Sequence, residues 1–250
     1  METNQQSMSN SSLSLCVNIE KWYANSPGLD NKEHWLEWAN TGSYPESFDI
    51  TASNIPAMMR RRMSSLSKLA VHAAIELLNQ NDVDYMVFSS RHGELHRSIA
   101  LVKDILLGEE ASPMAFSQSV HNTAAGLTTI ATKKPIPLTS IASGKNTFQS
   151  ALTEAYLFLS IHPDAKVLLV DFDEPLPQDY AEFETQTYRG YALAMLVSAG
   201  QQFAAEAHSA QQPPEHELPQ ALQFFRGFLQ DSVTQWSITG SRQTWTWHKK

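Results

Sequence analysis

The chain has 250 residues, long enough to bury a sizeable core as one large domain or two small ones. Acidic residues outnumber basic ones by 26 to 18, a formal charge of −8, which argues against a nucleic-acid binder because that role needs clustered Lys and Arg. One cysteine, Cys16, excludes an internal disulfide or a Cys-rich zinc site, and its apolar setting (LSLCVNI) reads as a buried structural thiol on a strand.

The first twelve residues, METNQQSMSNSS, are polar and lack the basic start and apolar centre of a secretory signal. They read as a disordered lead-in. No run approaches the length of a membrane helix, so the expected location is the cytoplasm and no membrane span is expected. A first strand is expected from Leu13 to Trp22. Asp30 with Glu33 forms a capping box for a helix whose apolar face carries Trp35, Leu36, Trp38 and Ala39. Residues 41–56 read as loop.

In MRRRMSSLSKLAVHAAIELLNQ, Met63, Leu66, Ala70, Ala73 and Leu77 recur at helical spacing. Arg60, Arg61 and Arg62 fall in the first turn of that helix, against its dipole, and imply carboxylate partners elsewhere in the fold. VDYMVFS (residues 83–89) reads as a buried strand, followed by a helix over 94–107 with Leu95, Ile99, Val102 and Leu106 on one face. SPMAFSQSV reads as a loop or irregular strand, and HNTAAGLTTIAT as a helix packed through small residues. PLTSIASGKNTFQSALTEA (residues 137–155) is a strand, a sharp turn through Gly144 and an amphipathic helix. KVLLV (166–170) and TYRGYALAMLVSA are further strands. Strands alternating with helices predict an α/β sheet, largely parallel, with helices on both sides.

From 201 to 220 the composition turns polar and Pro-rich, a linker by that criterion. The helix LPQALQFFRGFLQ follows. VTQWSI and RQTWTWH, joined at Gly240, form a hairpin with Trp245 and Trp247 on one face.

Several local patterns fail as catalytic motifs. SGKNT lacks the first glycine and the hydroxyl residue of a P-loop, since Thr139 and Asn146 occupy those positions. Asp171, Asp173 and Glu174 in DFDE have no histidine spaced to complete a metal site and read as a solvated strand end. HGELH (His92, His96) has its glutamate at the wrong offset for a zinc protease. Ser140 or Ser143 could serve as a nucleophile with His121 as base, although no G-x-S-x-G elbow surrounds them. His121 reads more simply as packing the start of its helix.

Taken together, RRMSSLSKLAVHAAIELL, HNTAAGLTTI, TSIASG and KVLLVDFDE resemble, in order and spacing from about Arg60 to Ser198, the β-ketoacyl synthases of the thiolase superfamily. The resemblance implies a thiolase-like fold, N-terminal half only, with a mixed sheet flanked by helices and an added C-terminal helix and β-hairpin. It implies a synthase N-terminal-like domain over 13–200, a linker over 201–220, and a helix and hairpin over 221–250 packed on the same domain. TSIASG stands where the family carries Thr-Ala-Cys-Ser-Ser-Gly, so Ile141 takes the place of the nucleophilic cysteine. The half that supplies the family's two catalytic histidines is expected to be missing.

The short form, the FFRGFL helix and the W-x-W ending are most similar to the chain length factor-type proteins of aryl polyene pathways. The resemblance therefore implies a non-catalytic subunit, without cofactor or metal, paired with a ketosynthase. The pairing strand would be Ile136, Pro137, Leu138, Thr139, Ser140 and Ile141. Met114, Phe116 and Gln118 would line or gate the partner's acyl tunnel, with Leu95 and Ile99 as its floor. An acyl carrier protein, being acidic, would dock mainly on the partner. Two other readings stay open here. One is a free-standing acyl thioesterase or acyltransferase using Ser140 or Ser143 with His121. The other is a homodimer that binds acyl chains.

Overall fold

The computed structural model describes residues 14–209, 218–241 and 243–250. Alternation of apolar residues along β1 (Ser14–Asn25) puts Leu15, Val17 and Ile19 on one face, all buried. A bulge between Ile19 and Lys21 then re-aims the strand. Helix α1 (Lys32–Thr41) starts at Asn31, whose side chain accepts from the His34 amide at 2.9 Å, one residue after the expected Asp30. It ends on Gly42, whose φ of 73° suits only glycine without strain.

The long helix expected around the three arginines is two. A four-residue turn, α2 (Ala57–Arg60), precedes α3 (Ser65–Leu78). The break falls where Ser64 caps α3 by accepting from the Ser67 amide at 2.8 Å. The arginines therefore do not occupy the first turn of α3. Arg60 donates to the Ala52 carbonyl, and among the described residues no carboxylate is within ion-pair distance of Arg60, Arg61 or Arg62.

The remaining elements are β2 (Tyr85–Ser89), α4 (Leu95–Leu106), α5 (Pro113–Ser117), α6 (Thr123–Thr132), β3 (Leu138–Ile141), α7 (Thr147–Ile161), β4 (Lys166–Asp173), β5 (Tyr191–Ala199), β6 (Phe203–Ser209), α8 (Gln220–Leu229), β7 (Gln235–Thr239) and β8 (Gln243–Lys249). The segment expected as an irregular loop, SPMAFSQSV, contains α5. It is started by Ser112 at the cap and Pro113 in the first turn.

The eight strands of the described residues form one sheet in the order β3-β2-β4-β5-β1-β6-β8-β7. Only β3-β2 and β2-β4 pair in parallel, and the other five pairings are antiparallel. The largely parallel sheet expected from alternation is thus corrected to the mixed sheet that the resemblance implies: β5 follows β4 without an α-helical crossover, and β7 and β8 form a hairpin.

The linker expected over 201–220 is also corrected for its first part. Phe203–Ser209 is strand β6, hydrogen-bonded to both β1 and β8. In FAAEAHS, Phe203, Ala205 and Ala207 alternate inward, but small side chains made the period weak. Residues 210–217 and the lead-in at 1–12 lie outside the described residues.

Helices α3 and α6 cover one face, where Leu66, Ala70, Ala73 and Ala74 pack on Leu168, Val170, Ala192 and Ala194. Helix α7 covers the other face through Phe148, Leu152, Ala155 and Leu159. Helix α8 extends that layer and brings Phe224 to 4.8 Å from Trp247 and Phe225 to 4.9 Å from Trp22. Trp245 and Trp247 share the inward face of β8, as their spacing requires. Each such side chain contributes on the order of 1.5–3 kcal/mol when buried, so the aromatic end is a main source of stability. Cys16 faces away from this core and is half-buried, not the fully buried thiol its neighbours suggested.

Candidate functional site

The strand–turn–helix junction is formed as the sequence indicates. Among the described residues strand β3 is an edge strand, paired with β2 on one side only, and all four of its residues are half-buried. Met86 donates to the Pro137 carbonyl at 3.0 Å and Ser90 to the Ile141 carbonyl at 3.2 Å. By alternation, Thr139 and Ile141 turn their backbone groups toward β2, and Leu138 and Ser140 turn theirs outward. Gly144 follows with φ +54°, opening a 3-10 turn (Gly144–Asn146) that leads into α7. Thr147 closes the turn, donating to the Gly144 carbonyl at 2.7 Å and accepting from the Ser143 amide at 2.9 Å. The hairpin tip grips the same turn, with Asn146 and Ser241 exchanging two hydrogen bonds at 3.0 and 3.1 Å.

Ile141 lies in a cross-strand row with Ser89, Asp171 and Leu193, and packs against the core under α7. Neighbours in such a row share a face. The side chain at the head of the helix is therefore a hydrocarbon with no lone pair and no ionisable group.

Beside it is a polar cluster that the sequence reading misplaced. Asp171 and Asp173, expected at a solvated strand end, are 3 % and 5 % exposed. Strand β4 runs three residues further than the expected 166–170, to Asp173, so both carboxyls lie beneath α7. Asp171 accepts from Ser89 Oγ at 2.6 Å and Tyr191 Oη at 2.7 Å. Asp173 accepts from Ser90 Oγ at 3.0 Å and from the Arg91 and His92 amides at 2.8 and 3.3 Å. Burial pushes Asp171 up to about 6. Burial and then the Asp171 charge push Asp173 up to about 7, against the pull of its donors. Burial and the same carboxylate push the Tyr191 hydroxyl well above its ordinary value. A small cleft between this cluster and the head of α7 is lined by Arg91, Lys145, Gln186 and Gln220. The signal that could have placed the two acids is their spacing, since residues two apart on an inward-facing strand share a face.

No nucleophile–base pair forms at the junction. His121 Nε2 bonds the Ser90 carbonyl at 2.8 Å. Ser140 Oγ is buried without a hydrogen-bond partner among the described residues, and Ser143 is exposed. The hydrolase arrangement of Ser140 or Ser143 with His121 is therefore not assembled. Among the described residues no group of three or more His, Cys, Asp or Glu could hold a metal, and no helix is long and apolar enough to cross a membrane.

The residues expected at a tunnel gate fall on an arm that leaves the sheet after β2. Met114 and Phe116 are 49 % and 63 % exposed on α5. Gln118 is half-buried and accepts from Arg97 at 2.7 Å. Leu95 and Ile99 are half-buried on α4, whereas Val102 and Leu106, expected to face inward with them, are exposed. Only Leu101 of α4 is buried. Ile105, Leu107, Val120 and Ile130 add further exposed apolar side chains on this side of the chain.

Residues 35–248 match the family profile described as the N-terminal domain of β-ketoacyl synthase. A search of curated proteins gives no match. Among solved structures, the chain is 34 % identical to a chain in a complex from Xenorhabdus doucetiae described as the ketosynthase ApeO with its chain length factor ApeC. That match covers 94 % of this chain and 100 % of the other, with a TM-score of 0.86. The ishigamide ketosynthase/chain length factor matches at 19 % identity over 78 % of this chain and 67 % of that one, with a TM-score of 0.62. A β-ketoacyl synthase from Burkholderia phymatum matches at 13 % identity over 78 % and 64 % of the two chains, with a TM-score of 0.55. The last two share the fold. From its profile match and the mixed sheet that carries the junction, this chain belongs to the β-ketoacyl synthase family, as a member of its N-terminal domain class.

Proposed function

We propose that the chain is a non-catalytic chain length factor, a subunit that pairs with a ketosynthase and shapes the cavity into which the partner's acyl chain grows. The observation that carries this reading is the match at 34 % identity over the full length of a chain in a ketosynthase–chain length factor complex. The hydrocarbon at position 141 and the unassembled serine–histidine pair support it. So does the open edge at β3, whose outward backbone groups at Leu138 and Ser140 need a partner strand.

In this reading Ile136, Pro137, Leu138, Thr139, Ser140 and Ile141 form the pairing strand. The exposed Met114 and Phe116, with Gln118, reach across to the partner's tunnel, and Leu95 and Ile99 stand behind them. Burying these apolar groups against a partner and an acyl chain gains on the order of 25 cal/mol per Å². The type of chain is that of aryl polyene or related type II elongation. The acyl carrier protein docks mainly on the ketosynthase, because a chain of charge −8 repels an acidic carrier overall.

The test is co-expression with candidate ketosynthases, followed by size-exclusion chromatography and intact mass. A one-to-one complex that elongates acyl chains, and loses activity only when the partner's cysteine is replaced, supports the reading. Turnover of acyl thioesters by the isolated chain would instead establish the hydrolase alternative. A stable homodimer indifferent to every ketosynthase would establish an acyl-binding protein.

A further inference from the structure

The arm that carries Met114 and Phe116 begins and ends at one place. It leaves the sheet through Ser90–Gly93, runs through α4 and α5, and returns at His121 to enter α6. Its middle is poorly buried, with Leu106, Leu107 and Phe116 at 80 %, 78 % and 63 % exposed. Its root is not. Ser89, Ser90 and Glu94 are buried.

The root is organised by one carboxylate. Asp173 accepts two consecutive backbone amides, from Arg91 and His92, and the Ser90 hydroxyl. Ser90 Oγ accepts in turn from the Gly93 amide at 2.7 Å. The Ser90 carbonyl receives His121 Nε2 from the far end of the arm at 2.8 Å. Gly93 packs directly under that ring, since a Cβ there would lie 3.0 Å from His121 Cδ2 and 3.3 Å from His121 Cα. With φ +56°, Gly93 also holds a turn that other residues adopt only with strain. Arg97 closes the arm on itself through Gln118, and Glu94 ties its first turn to α3 by accepting from Ser64 and Ser67. Asp173 thus bonds the near end of the arm to β4, and the far end joins that same loop through the Ser90 carbonyl.

Asp173 suits this place because each of its oxygens accepts one backbone amide, and a proton held on the group by burial can pass to Ser90 Oγ, the partner here that can also accept. An asparagine has one acceptor and would turn its NH₂ toward an amide it cannot bond. We infer that Asp173 is the positioning residue of this arm, posting Met114 and Phe116 at a fixed distance from the sheet and so setting how far the arm reaches toward the partner. Its consequence for chain length rests on the tunnel reading above.

The test uses the reconstituted complex with Asp173→Asn, and with Gly93→Ala and Ser90→Ala as variants that keep the carboxylate. Hydrogen–deuterium exchange is read at residues 91–95 and 112–122 and, as a reference, across β4 and β5. The expected result is exchange about tenfold faster in the arm of all three variants, unchanged exchange in the reference strands, and a broadened distribution of product lengths at unchanged one-to-one assembly. Unchanged arm exchange overturns the inference, as does a rise spread evenly over the sheet, which would mark a general packing role. Loosened arms with fixed product lengths overturn it too, provided Phe116→Ala shifts those lengths in the same assay. If Phe116→Ala leaves the lengths fixed, the tunnel reading falls and the exchange data alone decide the posting role.

Discussion

The two ends of the sheet are finished in opposite ways. At the β7–β8 end, Ile238, Trp245 and Trp247 are buried beneath α8, and Phe224, Phe225, Trp35 and Trp38 complete an aromatic layer. At the β3 end a four-residue strand stands half-buried, its outer backbone groups unpaired among the described residues, beside an arm whose apolar side chains face outward. The chain supplies its own cover at one end, and the described residues leave the other uncovered, where the proposed function seats a ketosynthase. Stability and function are therefore separable along one sheet, and substitutions at the two ends should read out differently.

The largest effect is expected at the closed end. Trp247→Ala removes a fully buried ring that contacts Phe224 and Trp236 and should cost about 3–5 kcal/mol, measured by urea denaturation. A cost under about 1 kcal/mol would mean that the aromatic layer is not the stabilising element described here. The next effect belongs to the open end. In Ser140→Pro the lost amide is one that turns outward, where an edge strand tolerates proline, and the lost hydroxyl has no partner. The isolated fold should survive with a change within about 1 kcal/mol, while association with the ketosynthase weakens tenfold or more, read by titration calorimetry. Equal loss of fold and of association would merge the two ends again.

A third effect concerns the buried acids between them. Asp171 and Asp173 are raised from 3.8 to about 6 and about 7, chiefly by burial, so the fold favours their protonated forms. That contribution is fully present below pH 3.8 and is lost as pH rises through 6 and 7. From these groups alone the midpoint of thermal unfolding should fall between pH 5 and pH 8. Asp171→Asn should flatten the slope, because its amide can still bond both Ser89 and Tyr191 once one hydroxyl reverses. A slope unchanged by that substitution would mean that the pair does not titrate in this range. The smallest effect on stability is expected for Phe116→Ala, within about 0.5 kcal/mol because the ring is exposed, yet it should shift product length in the reconstituted pair. Unchanged products would remove Phe116 from the tunnel.

Much of the fold was legible because its signals are strong. KVLLV is a continuous apolar run, the α7 face repeats at three and four residues, and the turn at Gly144 needs a residue that tolerates positive φ. Three features were not legible, each for a physical reason. Strand β6 alternates alanines with polar residues just before a Pro-rich stretch, so composition outweighed period. The break between α2 and α3 depends on a serine cap within a sequence that is helical on both sides. The two acids of β4 read as exposed because burying a charge is costly, and only the donors on β2, β5 and the loop after β2 make their position tenable. At the site, the pattern around Ile141 was readable, whereas the root of the arm was not, since Asp173, Ser90 and His121 meet only through the fold.

The central claim is that β3 is the edge on which a ketosynthase strand pairs, and site-specific photo-crosslinking tests it directly. A benzophenone amino acid is placed at position 139 on β3 or, for comparison, at position 237 on β7, and each variant is irradiated in the co-expressed pair. A covalent one-to-one adduct from position 139 and none from position 237 is the predicted result. Adducts from position 237 alone, or adducts joining only copies of this chain, would contradict it.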